Sequence, residues 1–399
     1  MASSKFFIYV HIPYCRSRCT YCNFITFENG QTVPVKDYVQ FLKKEIQNKA
    51  RFFKNSVSET VYFGGGTPSL IPSEDLTDIL KTIKQHFTLK KDPEITIEVN
   101  PGTITEKDLE IYQKEGVNRF SLGVQTFNQW FLEKSRRFHT VEDSLKDLKM
   151  FQKHHINYSL DLMFGLPQQT ISDLKFDVQQ SLLFDPYHIS LYNLTIPPGH
   201  ELSKNRASEI KQKEMFEWIE QYLAGHGLEK YEISNFAKAP YFSRHNLAYW
   251  GGETVLGLGI SAHSYLSPNF QNIKESNPYG IRFWNSSQMT TYLKQASQNN
   301  LSSPFNSLNS KQVEILNCYE SLTDFCYTRL RTRKGLCLKE LKKLYPKFLY
   351  NYTRTKLHHL INQNWLKKRS SLFSLTPKGE ILSNQVFLEL TFLKKDFKF

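Results

Sequence analysis

Hydrophobic and polar positions follow two alternating patterns in the first part of the chain, up to about residue 230. Six short runs are rich in Val, Ile, Tyr and Phe, a composition typical of buried strands, and each ends in Gly, Pro, Asn or Gln. They begin at Phe6, Glu59, Glu94, Asn118, Tyr158 and His188. Between these runs, apolar residues recur at spacings of three and four, which predicts amphipathic helices. The five predicted helices lie over 36–53, 73–87, 105–116, 141–155 and 170–184.

Strands that alternate with helices predict parallel βαβ units in an α/β fold. Both a barrel and a doubly wound sheet satisfy this order of elements. Two of the helices start with a candidate N-cap, since Ser73 precedes Glu74 and Thr105 precedes Glu106.

The remainder of the chain has a different amino-acid composition. An aromatic and Gly-rich stretch runs from about Ala237 to Leu266, and the Asn- and Ser-rich residues 267–310 predict loops around short elements. The ending predicts a small winged helix, with a two-stranded wing around Ser370 and a final helix capped near Thr376. We therefore expect a core over 1–235, an extension over 236–305 and a helical, winged-helix-like domain over 306–399.

Composition and charge change this picture little. The 399 residues contain no apolar run near the ~20 residues of a membrane span, and the N-terminus does not have the pattern of a signal peptide. Six cysteines in a chain of this length do not form a disulfide framework, so we expect a cytoplasmic protein. The net charge of +13 is compatible with nucleic acid, but the lysines are spread over many predicted helix faces. Solvated helix faces explain them better, and nucleic acid is not an expected partner.

Half of the cysteines fall within eight residues, directly after the first predicted strand, in a C-x3-C-x2-C pattern. They are Cys15, Cys19 and Cys22, whereas Cys318, Cys326 and Cys337 are scattered without metal-like spacing. Structural zinc would need a fourth ligand, from His11 or a remote residue. Three free core cysteines fit poorly beside Arg16 and Arg18. We favour an iron–sulfur cluster held by three thiolates, which leaves one iron open for chemistry, with both arginines lowering the thiol pKa values.

This cysteine pattern resembles that of the radical S-adenosylmethionine superfamily. The resemblance implies a partial (β/α)6 barrel and a [4Fe–4S] cluster whose open iron is chelated by S-adenosylmethionine. In such proteins an electron from the cluster cleaves the sulfonium to a 5′-deoxyadenosyl radical.

Polar residues and glycines follow the predicted strands, and ligands of parallel α/β folds collect at the carboxyl ends of strands. The run Gly64–Gly66 would let backbone N–H groups approach a ligand, although a tight turn is the alternative. Glu98 and Asp161 can accept hydrogen bonds from ribose hydroxyls or an ammonium group. Gln125 offers donors and an acceptor, and Arg137 can bind a carboxylate. Each residue alone has an equally good structural explanation, but their shared position favours one binding site.

Several motifs, including YVHIPYC, YFGGGTPS, IEVNPG, LGVQTF and LDLMFGLPQQT, resemble those of the oxygen-independent coproporphyrinogen III oxidase family. The likeness covers essentially residues 5–265. It implies that S-adenosylmethionine is held by eight residues. They are Tyr9, Gly65, Gly66, Thr67, Glu98, Gln125, Arg137 and Asp161.

Within that family, the chain is most similar to the branch of HemW-type haem chaperones. Oxidases carry a fourth cysteine two residues after the triplet, where this chain has Phe24, and the chaperone branch carries an HNxxYW segment. The segment is intact here, and imidazole is a good iron ligand while flat aromatic rings suit a porphyrin. Its candidate haem residues are His245, Asn246, Tyr249 and Trp250, and without the family a buried structural histidine would be the simpler explanation.

A nearby segment, GLGISAHS, contains Gly257, Gly259 and His263, which suggest close backbone approach, but no ligand is assigned to it. The chain departs from the chaperone pattern at Asn23, at Ser135–Arg136 and at Ser261. We expect a haem chaperone with a haem acceptor protein and an electron donor as partners. Oxidative decarboxylation of coproporphyrinogen III is the alternative, and radical modification of nucleic acid is a third hypothesis. Whether the chain is an enzyme is left open.

Overall fold

The computed structural model describes residues 4–28, 30–196, 199–268, 270, 277–299 and 301–397. Part of the region 267–310, for which the sequence predicts loops, lies outside the described residues. No helix of the described chain is both long enough and apolar enough to cross a bilayer.

The strands of the described residues include all six that the sequence predicts. They are β1 (Ser4–Ile12), β2 (Tyr14–Cys15), β3 (Phe27–Glu28), β4 (Ser56–Gly65), β5 (Thr88–Val99), β6 (Arg119–Gln125), β7 (Tyr158–Phe164), β8 (His188–Asn193), β9 (Glu229–Lys230), β10 (Asn235–Ala237), β11 (Val255–Leu258), β12 (His263–Leu266), β13 (Ile281–Trp284), β14 (Val313–Ile315), β15 (Leu336–Cys337), β16 (Leu366–Arg369) and β17 (Leu372–Leu375).

The strand order decides between the two α/β architectures. The six predicted strands are neighbours in chain order, β1-β4-β5-β6-β7-β8, and each adjacent pair is parallel. A doubly wound sheet would reverse direction at a switch point. Because this order never reverses, the core is an open barrel of β/α units. Strand β11 adds a seventh parallel member against β1, which the sequence pattern did not predict.

The helices of the described residues include the five predicted ones. They are α1 (Val35–Ala50), α2 (Ser73–His86), α3 (Glu106–Lys114), α4 (Gln129–Lys134), α5 (Val141–Lys153), α6 (Ile171–Leu182), α7 (Glu209–Gly225), α8 (Arg244–Trp250), α9 (Met289–Ala296), α10 (Cys318–Arg331), α11 (Leu338–Leu344), α12 (Lys347–Asn362), α13 (Pro377–Ile381) and α14 (Ser383–Glu389).

The two predicted N-caps have different outcomes. Thr105 caps α3 in a full capping box with Asp108, as predicted. The prediction for Ser73 is wrong, because Pro72 occupies the N-cap position of α2 and Ser73 is its first helical residue. The Ser73 hydroxyl donates instead to Asp108 Oδ1 at 2.7 Å, so it joins two neighbouring helices.

The sheet continues beyond the barrel on both sides. Antiparallel strands β12, β13 and β14 follow β11, and β10 and β9 follow β8. Among its described residues, region 267–310 contains one short strand and one short α-helix, β13 and α9, which agrees with the expected loops around short elements. Strands β10 to β13 therefore make the predicted extension part of the same sheet as the barrel.

The C-terminal part has its own hydrophobic cluster, which includes Leu330, Leu357 and Phe373. Its three-stranded sheet has the order β15-β17-β16, and β16 and β17 form the predicted wing hairpin. The Thr376 hydroxyl accepts a hydrogen bond from Gly379 N, which confirms the predicted cap of α13, although α14 follows that helix.

Candidate functional site

The carboxyl ends of the barrel strands surround a cavity of about 460 Å³. Its size is in the range of small-molecule sites. The cavity brings together the three clustered cysteines and seven of the eight residues expected to hold S-adenosylmethionine. These are Cys15, Cys19, Cys22, Gly65, Gly66, Thr67, Glu98, Gln125, Arg137 and Asp161. Side chains that are distant in sequence meet here because parallel strands end at one edge of the sheet.

The cysteine loop folds back on itself at one wall of this cavity, which we call the thiol cavity. Cys22 N donates to Cys19 O at 3.1 Å, and Arg18 Nη2 donates to Cys22 O at 3.0 Å. Burial raises the pKa of the Cys15 thiol to about 11 and also raises the pKa of Cys22. Arg18 lowers the pKa of Cys22, as expected, but burial outweighs this effect. Neither Arg16 nor Arg18 is among the causes of the shift at Cys15. The Arg16 guanidinium instead lies 4.8 Å from the centre of the Phe138 ring.

A chain of polar contacts joins two of the cysteines through Arg137. Arg137 Nη1 lies 3.6 Å from Cys19 Sγ, and Nη2 donates to Asn100 Oδ1 at 2.6 Å. Asn100 Nδ2 donates in turn to Thr67 Oγ1 at 3.0 Å, and this hydroxyl lies 3.6 Å from Cys15 Sγ. The IEVNPG motif contains Asn100, but nothing in the motif indicates that the Asn100 amide would connect the two cysteines.

Two partly buried carboxyl groups line the same cavity as the thiols. Glu98 accepts from the Tyr62 hydroxyl at 2.8 Å and from Gly65 N at 3.1 Å. Burial, with a smaller contribution from the nearby Asp161, raises the pKa of Glu98 to about 7. Burial also raises the pKa of Asp161, whose Oδ2 accepts from Ser121 Oγ at 2.8 Å. A ligand that donates hydrogen bonds or carries a positive charge would therefore stabilise the ionised form of both carboxyl groups.

Of the two explanations left open for the glycine run, the contacts in the structure favour the tight turn. Its N–H groups are already engaged, since Gly65 N donates to Glu98, Gly66 N to Ile12 O and Thr67 N to Tyr14 O. A Cβ atom at Gly65 would lie 2.4 Å from the His11 ring, and φ there is +111°. Glycine is required because the turn packs tightly against β1, not because its N–H groups are free for a ligand.

Tyr9 lies outside the thiol cavity, although the resemblance placed it in the same set. Its hydroxyl is 3.1 Å from His11 Nδ1, and its side chain lines a neighbouring cavity of about 390 Å³. This second cavity, which we call the aromatic cavity, shares Phe24, Gly65 and Glu98 with the thiol cavity. Its lining is formed by Tyr9, His11, Asn23, Phe24, Ile25, Gly65, Glu98, Tyr249, Ser261, Ala262 and His263.

The HNxxYW segment forms helix α8, which does not present its four candidate residues to one surface. Ser243 caps the helix, and the Glu94 carboxylate accepts from the N–H groups of Arg244 and His245. A negative charge at a helix N-terminus is stabilising. Tyr249 lines the aromatic cavity, while the Trp250 ring lies 4.5 Å from the Arg331 guanidinium.

His245 itself is buried, with 1% of its surface exposed. Its Nδ1 atom lies 2.7 Å from Thr60 Oγ1, and its ring stacks on Tyr62 at a centroid distance of 4.9 Å. Burial lowers the pKa of His245 to about 3. Asn246 contributes its N–H to the Ser243 cap at 3.3 Å. His245 Nε2 is buried without a hydrogen-bond partner among the described residues. The enclosed ring favours a structural role, and ligation of haem by His245 stays a prediction.

The GLGISAHS segment approaches the chain's own backbone. A Cβ atom at Gly257 would lie 2.3 Å from His263 O, and one at Gly259 would lie 2.6 Å from His11 O. Ser261, where the family usually has glycine, adopts a left-handed φ of 58°. The glycines are thus explained by packing, and Ser261, Ala262 and His263 are the members of the segment that line the aromatic cavity.

The thiol cavity fits the cluster and the sulfonium cofactor that the cysteine motif implies. Three thiols line it, and Cys19 and Cys22 both raise the pKa of Cys15, after burial, because their charges are close. Asp161 Oδ1 and Arg137 Nε are buried without a hydrogen-bond partner among the described residues. Unpaired buried polar groups are costly, so a bound polar ligand would stabilise both.

Comparisons with known proteins give the family. The model of the Radical SAM superfamily matches residues 9–179. The chain is 32% identical over 405 residues to "Heme chaperone HemW" of Lactococcus lactis, covering 98% of each chain. It is 31% identical to the protein of that name from Bacillus subtilis, covering 95% of this chain and 97% of the relative. A third relative of that name, from Buchnera aphidicola, is 29% identical and covers 96% and 98%.

The fold is similar to that of a solved structure described as coproporphyrinogen III oxidase (HemN) from Escherichia coli, a radical SAM enzyme. The TM-score is 0.79 at 20% sequence identity, covering 98% of this chain and 90% of the other. At this identity, the similarity to the solved structure shows the fold alone. The family is shown by the relatives in sequence, which match nearly the whole chain. The chain belongs to the HemW family of the radical SAM superfamily.

Proposed function

We propose that this protein binds haem and transfers it to an acceptor protein. The observation that carries the proposal is the similarity, over 98% of both chains, to a relative named a heme chaperone. The two adjoining cavities support it, because one offers thiols and polar groups and the other offers aromatic side chains suited to a porphyrin. A haem acceptor and an electron donor are the protein partners in this proposal.

Cys15, Cys19 and Cys22 would hold a [4Fe–4S] cluster, and S-adenosylmethionine would occupy the rest of the thiol cavity. When bound, the cluster would supply an electron and one iron without a protein ligand. Arg137 would hold the Cys19 thiolate in position, and Glu98 and Asp161 would accept hydrogen bonds from the cofactor.

Phe24 distinguishes this proposal from oxidative decarboxylation of coproporphyrinogen III. The oxidase branch carries a cysteine at this position, whereas here a phenyl ring with 60% of its surface exposed lines both cavities. A phenyl ring cannot ligate a metal, but it can pack on a flat macrocycle. We also propose the division into 1–235, 236–305 and 306–399, which the separate C-terminal hydrophobic cluster supports.

The proposal is tested on anaerobically reconstituted protein in two assays of one preparation. In the first, haemin is titrated into the protein and binding is followed by the visible spectrum. In the second, the protein is incubated with coproporphyrinogen III, S-adenosylmethionine and a reductant. We expect stoichiometric haem binding and transfer to an apo-haem protein, without formation of protoporphyrinogen IX.

The cluster ligands are tested by changing each of the three cysteines to serine, with Cys318→Ser as the matched control outside the thiol cavity. We expect loss of bound iron and sulfide in the three variants and retention in the control. Production of protoporphyrinogen IX by the wild type would replace the chaperone proposal by the oxidase alternative.

A further inference from the structure

The net charge of the protein is concentrated in its C-terminal part. Residues 306–399 contain 18 Lys and Arg but only 7 Asp and Glu, so they carry +11 of the total net charge of +13. In residues 1–305, by contrast, 33 Lys and Arg are nearly matched by 31 Asp and Glu. The lysines are spread along the whole chain, but the carboxylates are not. An unmatched positive charge of this size on one small domain attracts polyanions.

The basic part has the order of elements of a winged helix. In chain order it consists of α10, β15, α11, α12, β16 and β17, and its three strands form one sheet. Helices α11 and α12 are joined by two residues, Tyr345 and Pro346. In DNA-binding proteins of the helix-turn-helix type, the second of two such helices lies in the major groove. Helix α12 has this position, but the fold alone does not establish binding, so the side chains on its outward face decide.

The outward face of α12 is polar and carries no carboxylate. Leu349, Leu357 and Leu360 belong to the C-terminal hydrophobic cluster, so the opposite face of the helix points to solvent. The 16 residues of α12 include no Asp or Glu. A helix that lies on a membrane would direct an apolar face outward. The exposed side chains of the outward face are instead Lys347, Asn351, Thr355 and His358.

The wing hairpin places a further cation beside this face. Lys368 of β16 is opposite Phe373 of β17, and opposed residues of an antiparallel pair point to the same side of a sheet. The Phe373 ring lies 5.9 Å from the His358 ring and 5.7 Å from Lys368 Nζ. The exposed Lys368 is therefore next to the outward face of α12. We call the following five residues the helix–wing surface: Lys347, Asn351, Thr355, His358 and Lys368.

The carboxylates of the C-terminal part do not neutralise the helix–wing surface. In the part of the chain that the structure describes, neither Lys347 nor Lys368 forms an ion pair with a carboxylate. Four carboxylates of this part are paired with cations that lie outside the surface. They are Glu314, Glu340, Glu380 and Glu389. The two lysines are thus available to an external anion.

We infer that the C-terminal part binds duplex DNA, with α12 in the major groove and the wing at the neighbouring backbone. The major groove of B-form DNA admits an α-helix, whereas the major groove of A-form RNA is too narrow. Lys347 and Lys368 would contact phosphates, and the Asn351 amide would contact base edges. The inference replaces the expectation that nucleic acid is not a partner, because that expectation considered the lysines without their carboxylates.

This inference does not rest on the proposed haem-binding function. None of the five residues of the helix–wing surface lines the thiol cavity or the aromatic cavity. Substitutions at the surface should therefore leave the iron content of the reconstituted protein and its haem binding unchanged. A failure of haem binding would overturn the proposed function and leave the DNA inference standing, and the converse also holds.

The test is fluorescence anisotropy of a labelled DNA duplex of mixed sequence, titrated with the full chain at several salt concentrations. We expect affinity to fall steeply with salt, because phosphate contacts release counterions. Lys347→Ala/Lys368→Ala should weaken binding by at least about tenfold and lower the slope of log affinity against log salt by about two. Asn351→Ala should weaken binding with the slope unchanged.

The matched control is Lys107→Ala/Lys114→Ala, which removes the same charge from two exposed positions of α3. It should keep the affinity and the salt slope of the wild type. All of these substitutions are at exposed positions, so we expect unchanged urea midpoints. If the double variant of the helix–wing surface unfolds, Lys368→Ala alone should still lower the slope, by about one.

Four results would overturn the inference. One is the absence of DNA binding by the wild type at low salt, and another is an equal loss of affinity in the control and in Lys347→Ala/Lys368→Ala. Equal affinity for an RNA duplex of the same sequence would contradict the placement of α12 in a major groove. Binding to vesicles that contain anionic phospholipid, without binding to DNA, would assign the helix–wing surface to a membrane instead.

Discussion

The Arg137 guanidinium lies with Nη1 3.6 Å from Cys19 Sγ while its Nη2 donates to Asn100 Oδ1 and Gly123 O, both at 2.6 Å. The planar guanidinium presents its N–H donors in fixed directions, and here they contact three acceptors. Arg137 thereby ties the cysteine loop to the ends of β5 and β6. The loop has further contacts, such as Thr20 N to Ser135 O at 3.2 Å, and Arg137 adds one to the Cys19 thiol itself.

We expect Arg137→Lys to weaken retention of the cluster, because a single ammonium group cannot reproduce the fork. Measurement of iron and sulfide after anaerobic reconstitution and desalting should show a several-fold loss. Arg136→Lys is the control, since Arg136 is the exposed neighbour. Equal iron content in both variants would show that the contact to Cys19 does not matter for the cluster.

We expect Glu98→Gln to lower the affinity for S-adenosylmethionine by about tenfold, or about 1.4 kcal/mol. Burial raises the pKa of Glu98 to about 7, and the carboxylate is the form that accepts hydrogen bonds from the cofactor. Wild-type affinity should therefore rise as pH increases from 6 to 7 and level off above the pKa. Equilibrium dialysis at pH 6, 7 and 8 measures this, and a pH profile that is the same in the glutamine variant would contradict it.

We expect Gly65→Ala to destabilise the fold by about 3 kcal/mol in urea unfolding. The added Cβ would lie 2.4 Å from the His11 ring at a φ of +111°. Gly227→Ala serves as the control, because Gly227 also has a positive φ, of +75°, but no atom within 4 Å of the added Cβ. The control should cost only about 1 kcal/mol, the strain of the backbone alone. Similar losses in the two variants would mean that the contact with His11 is not limiting.

We expect Thr60→Val to destabilise the protein by about 1–3 kcal/mol, because it leaves the buried His245 Nδ1 without its partner. The spectrum of bound haem should not change, since the enclosed His245 ring favours a structural role. Thr96→Val is the matched control on the adjacent strand, since the Thr96 hydroxyl is buried without a partner among the described residues. Equal urea midpoints for the two variants would argue against the role of the Thr60–His245 contact.

The elements that local patterns encode were predictable. Each of the six barrel strands and the five predicted helices has a local hydrophobic pattern of its own, and the Thr105 cap lies within a few residues of its partner. Strand β11 was missed because its four residues, Val255–Leu258, are too few to show a pattern and lie in a Gly-rich segment. Ser73 was misassigned because Asp108, a distant residue in sequence, offers its hydroxyl a competing partner.

By itself, the sequence determined the alternation of strands and helices, the spacing of the three cysteines and the chemistry that such a spacing can hold. These features are local, since periodicity and spacing act over a few residues. The tertiary structure alone decided that the strands follow one another without reversal, that Tyr9 lines a second cavity and that His245 is enclosed while His263 is exposed. These outcomes depend on which surfaces pack together, and that depends on contacts between residues that are far apart along the chain.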